Sequence, residues 1–150
     1  MTTNITSTLN ALIKTSKDSE QGFHSAASKV IDQNLKNILL TKTERCKNYV
    51  AELQKHVNEL NAEAEDSGSV LGAIHRGFLE VKSIIIGNDD YAILVECERG
   101  EEAARNNYFQ ALKEDLPAEI LTVIQNQYNQ VAKDYLLVCD LREKYAKDNI

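Results

Sequence analysis

The residues of this 150-residue chain best equipped for chemistry are carboxylates that fall where an apolar helix stripe should be buried. At 100° per residue, Glu20 lies within about 20° of the centre of the stripe formed by Leu9, Leu12, Ile13, Phe23 and Ala27. Glu98 and Glu101 form a Glu-x-x-Glu pair. With Arg105, they lie within about 40° of the line from Leu94 to Leu112. Gln127 points inward among Ile120, Ile124 and Val131, with Tyr128 and Tyr135 nearer that stripe's edge. Another stripe offers Lys42, Cys46 and Tyr49 inward, with His56 on its flank. A charge buried alone costs on the order of several kcal/mol, so three inward carboxylates must be neutralised.

Two chemistries would do this. The first is a structural network in which Glu20, Glu98 and Glu101 pair with Arg105, Lys17 and Lys42 and with hydroxyls such as those of Tyr49 and Tyr128, Arg105 and the hydroxyls being the main neutralisers. The second is an iron or manganese dimetal centre drawing on Glu20, Glu98, Glu101, Gln127 and Tyr135. Dimetal bundles take one Glu from each of two helices and Glu-x-x-His from each of the other two. Here the second helix has no inward carboxylate: Glu44 points about 180° from its stripe and Glu52 lies towards the flank. The fourth has Gln127 and Tyr135 in place of Glu-x-x-His. The network is therefore the expected arrangement, with no catalytic residue and no cofactor, and the dimetal-carboxylate protein or oxidase is the alternative. Carboxylates paired with Arg105 should have lowered pKa values, with their stabilisation lost on acidification.

Helices must position these groups. With 43% hydrophobic and 27% charged residues the chain is neither disordered nor membrane-embedded. Six glycines and one proline are too little punctuation for a fold rich in turns. Period-3.6 patterns run over about 7–30, 34–62, 90–112 and 117–138. A tight break near Asp32–Asn34 makes the first two antiparallel neighbours. An Asp of Asn88-Asp89-Asp90 should cap the third, and Pro117 should sit in the first turn of the fourth. Four of the glycines cluster at 68–87, inside a connection of about 65–88 with its own amphipathic set, Leu71, Ile74, Phe78, Val81 and Ile85. A connection that long fits a crossover carrying a short helix. The prediction is an all-α, single-domain four-helix bundle over 1–150 in ferritin-like order.

Other functions lack their signals. Cys46, Cys97 and Cys139 are odd in number and far apart, which reads as small buried residues in a reducing cytoplasm, not as a disulfide framework or a zinc site. The first eight residues carry no basic cluster and no apolar core, so no secretory leader is expected. No apolar run approaches the ~18 residues needed to cross a bilayer. The net charge of −6 and the scattered Lys and Arg argue against nucleic acid. Phosphate loops and Gly-x-Ser-x-Gly elbows are absent. His24 and His56 read as partly exposed helix residues, and His75 as a pin for the crossover.

In order along the chain come Asp18-Ser19-Glu20-Gln21-Gly22-Phe23, Gly68-Ser69, His75-Arg76-Gly77-Phe78, Glu96-Cys97-Glu98-Arg99-Gly100-Glu101, Leu116-Pro117 and Gln127. This series resembles an uncharacterised bacterial family of ferritin-like four-helix-bundle proteins, a domain-of-unknown-function family, over roughly Leu9 to Arg142. The resemblance implies the fold and a distant kinship with dimetal-carboxylate and stress-induced proteins, but no established reaction. Members often carry His near Tyr135, so the tyrosine weakens a metal site. Three readings follow: a non-enzymatic, stress-associated bundle that binds a protein partner or a second copy; a dimetal protein; and a small-ligand carrier with a pocket under Phe78.

Overall fold

Asp32 starts the architecture. Its extended backbone and its side chain, which accepts hydrogen bonds from the Asn34 and Leu35 amides, end one helix and begin the next. The computed structural model describes residues 2–60 and 89–148, with side chains described for 4–60 and 89–146. In these ranges lie four α-helices and no strand: α1 (Thr2–Lys29), α2 (Gln33–Glu59), α3 (Asp90–Ala111) and α4 (Ala118–Asp148). Asp89 caps α3 by accepting from the Tyr91 amide, as the Asn-Asp-Asp signal predicts. Pro117 sits just before α4, where its carbonyl accepts the Leu121 amide and its missing N–H costs nothing.

Side-chain contacts fix the directions. Asp90, at the start of α3, accepts from the backbone amides of Ile31 (2.9 Å) and Asp32 (3.0 Å) in the α1–α2 turn. Tyr145, near the end of α4, hydrogen-bonds Asp32 at the same end of the bundle. Some eighteen residues further along α3, Tyr108 meets Ser16 of α1, and Gln127 of α4 meets Glu52 of α2. So α2 and α3 run one way and α1 and α4 the other. The end of α2 and the start of α3 therefore lie at opposite ends of the bundle. The predicted crossover helix, with His75 and Phe78, lies outside the described residues.

The apolar stripes meet as their spacing requires. Leu9, Leu12 and Ile13 of α1, Leu35, Leu39 and Leu53 of α2, Ile93 and Leu94 of α3, and Ile124 of α4 are all at most 1% exposed. Each contributes about 1.5–3 kcal/mol of burial. α1 packs most closely on α2 and α3 on α4, while the α2–α4 seam is the most open. Long polar side chains bridge that seam.

Candidate functional site

Two polar layers cross the core. In the first, the Tyr108 hydroxyl donates to Gln127 Oε1 (2.6 Å), so Ser16 Oγ must be the donor in its 2.9 Å bond to Tyr108. Gln127 Nε2 donates to Glu52 Oε1 (2.7 Å) and, at 3.5 Å, to the Tyr49 carbonyl. One directed chain thus joins α1, α3, α4 and α2. Beside it, Asn107 Nδ2 donates to Thr15 Oγ1. Burial pushes the Tyr108 phenol well above its usual value.

The second layer is ionic. Lys42, 2% exposed, places its ammonium 2.9 Å from the buried Asp134. Arg45 Nη1 reaches both oxygens of the same carboxylate at 2.6 Å, and Gln130 Nε2 adds a bond at 3.3 Å. Glu101 of α3, 4% exposed, belongs to this layer through its electrostatic coupling to Lys42, Asp134 and Arg45. Burial pushes its carboxyl up to about 8, with Asp134 adding to the rise and Lys42 and Arg45 opposing it. Cys46 lies at the centre: burial raises its thiol well above the ordinary value, and Glu101, Asp134 and Glu20 add to the effect. Cys97 is likewise pushed up to about 12, first by burial and then by Glu101. These two thiols are inert at neutral pH. The Tyr49 hydroxyl is buried with no hydrogen-bond partner among the described residues, and its phenol is raised by burial.

A third polar chain runs along the side of α3 and α4. Arg142 Nε lies 2.9 Å from Glu98 Oε2, and Cys139 hydrogen-bonds both Glu98 and Tyr135. Burial pushes Glu98 up, but the Cys139 thiol and the Arg142 guanidinium outweigh it and leave the carboxyl below its usual value. The Arg105 guanidinium stacks over the Tyr135 ring, 4.6 Å from its centroid.

The residues predicted from the sequence therefore separate. Glu101, Gln127 and Tyr49 are interior; Glu20, Glu98, Arg105, Tyr128 and Tyr135 are only half-buried. Arg105 does not supply the expected neutralising charge, because it stacks on Tyr135; Lys42 and Arg45 supply it, and their carboxylate is Asp134. Glu98 pairs with Arg142 instead of Arg105. Tyr128 packs against the Phe109 ring, centroids 6.2 Å apart, outside both layers. The expected lowering of carboxylate pKa values holds for Glu98 and reverses for Glu101. His56, read as partly exposed, is 8% exposed, with Nδ1 3.3 Å from Glu59.

Five interior polar residues escaped the sequence reading: Thr15, Thr43, Asp134, Ser16 and Glu96. Asp134 stands three residues after Val131 and four before Val138, which is a stripe position. Ser16 stands four after Leu12. Glu96, fully buried and 3.5 Å from Arg99, stands three after Ile93.

The five residues named for a dimetal centre do not fit one. Both amide atoms of Gln127 are committed, Glu98 is turned to Arg142, and Tyr135 lies beneath Arg105. Among the described residues, no three His, Cys, Asp or Glu side chains are grouped to hold a metal ion. Nor is any described helix long and apolar enough to cross a membrane.

A family model described as a domain of unknown function (DUF2383) matches residues 4–114, or 111 of the 150. The matched segment takes in α1 to α3; α4, with Gln127, Asp134 and Tyr135, lies beyond it. No curated protein matches the chain.

Proposed function

The chain belongs to the DUF2383 family of unknown function, and from that premise we propose a non-enzymatic, ferritin-like bundle whose interior neutralises itself. The observation that carries this reading is Lys42. A dimetal bundle needs an inward carboxylate from each helix. Here α2 presents a buried ammonium, 2.9 Å from Asp134. A side-chain cation thus does the charge balancing that a metal would otherwise do. The parallel course of α2 and α3 supports the ferritin-like order.

With its interior closed, the molecule acts through its surface. α3 and α4 expose Phe109 (47%), Leu136 (61%) and Leu137 (42%), which favours a protein partner or a second copy. The scattered charges of a chain with net charge −6 suit neither nucleic acid nor a membrane. A cytoplasmic, stress-associated role accords with the family resemblance and the three free cysteines.

The test is elemental analysis of protein purified without added metal, paired with melting curves in chelator, iron and manganese. The reading expects no stoichiometric metal after dialysis and one unchanged Tm. Stoichiometric iron or manganese that survives dialysis and raises Tm strongly would overturn it in favour of a dimetal protein.

A further inference from the structure

In the ionic layer both cations go to one carboxylate, and a second buried carboxyl is left without one. From α2 the layer receives Lys42 and Arg45, and from α4 Asp134; the half-buried Glu20 of α1 acts electrostatically on Cys46 beside it. Asp134 takes both cations, at 2.9 and 2.6 Å. Glu101, on α3 with Cys97 and Tyr108 as titratable neighbours, forms no ion pair or hydrogen bond with any described residue. Ionising it would leave an anion without an ion-pair or hydrogen-bond partner among the described residues, in a core position that is 4% exposed. Burial of that kind favours the neutral form.

We propose that Glu101 is a proton switch: it holds a proton in the fold at neutral pH, and losing that proton loosens the packing of α3 against α1 and α4. The inference rests on the self-neutralising interior proposed above and adds its regulation by pH.

The sign follows from linkage. The carboxyl titrates at an ordinary 4.5 in the unfolded chain and at about 8 in the fold. Between these values only the folded state keeps the proton. Its contribution is therefore fully present below pH 4.5 and is lost as pH rises to about 8. Over that window the folding equilibrium constant falls by about tenfold per pH unit from this group alone.

The experiment compares wild type with Glu101→Gln, which mimics the protonated acid at every pH, by urea denaturation from pH 5 to 9. The difference between the two should widen in the variant's favour by about tenfold in equilibrium constant per pH unit and then level off. Infrared spectra of the wild type should also contain the carbonyl band of a protonated carboxyl at pH 6.5 and lose it by pH 10. That second measurement needs no variant. Parallel denaturation curves, or no protonated-carboxyl band at pH 6.5, would overturn the switch. If the protein is metal-free and the curves are parallel, only the switch falls. Dialysis-resistant metal refutes the self-neutralising interior itself.

Discussion

At the scale of single residues, the ion pair between Lys42 and Asp134 is the contact on which the interior depends most. A buried pair is poor evidence of net stability, since desolvation offsets the attraction, but removing one partner strands the other. Asp134→Ala should therefore cost about 3–5 kcal/mol in urea denaturation, because it leaves a fully buried ammonium unpaired. Lys42→Met combined with Asp134→Leu should return to within about 1 kcal/mol of the parent, since Arg45 is partly exposed and can turn to water. A double variant no better than Asp134→Ala would show that Arg45, not Lys42, is the cation that matters. Gln127→Leu removes the acceptor of the Tyr108 hydroxyl and should cost about 1–3 kcal/mol. Periodicity identified Gln127, Glu101 and Lys42 as interior. It did not identify their partners. A helical wheel gives the direction of each side chain, whereas the choice between Arg105 and Lys42 for the carboxylates depends on which helices face across the open seam. Asp134 was missed although it occupies a stripe position between Val131 and Val138, because an acidic side chain interrupts an apolar pattern.

At the scale of elements, the helix ends were the most legible feature, because capping is local chemistry that a few residues encode. Asp89 caps as the Asn-Asp-Asp signal predicts, Asp32 caps α2 at the predicted break, and Pro117 marks the start of α4. The course of the chain after α2 was inferred from the length of the connection. The contacts of Asp90 bear on it independently, because they bring the start of α3 to the α1–α2 turn. Two backbone amides end on that one carboxylate. Asp90→Ala should thus cost about 1–3 kcal/mol and speed hydrogen exchange at the Ile31 and Asp32 amides. Unchanged exchange there would mean that apolar packing alone sets the register of α3. The Ser16–Tyr108 contact between α1 and α3 was not legible: Ser16 carries no periodic signal beyond its place on the stripe, and hydroxyls are as common on the outside of helices as within.

At the scale of the whole molecule, opposed titrations shape stability. Asp32, held low first by the Leu35 amide and then by Tyr145, and Glu98, held low by Cys139 and Arg142 against its burial, stabilise the fold above the ordinary carboxylate range and lose that effect as pH falls through it. Glu101 works in the other direction, up to about 8. A pH series of melting curves should accordingly rise from about pH 3 to about 5 and decline from there towards 8. A plateau from pH 5 to 8 would contradict the sign assigned to Glu101. The buried phenols have an optical consequence as well. The chain has no tryptophan, so its near-ultraviolet signal comes mainly from six tyrosines. Two of these, Tyr49 and Tyr108, are closed off from hydroxide by the same burial that raises their pKa values. Tyrosinate absorbance in an alkaline titration should then appear in two stages, and the two interior phenols ionise only in the second, when the helices separate. The second stage is a label-free record of the opening of the core, already present in the native chromophores.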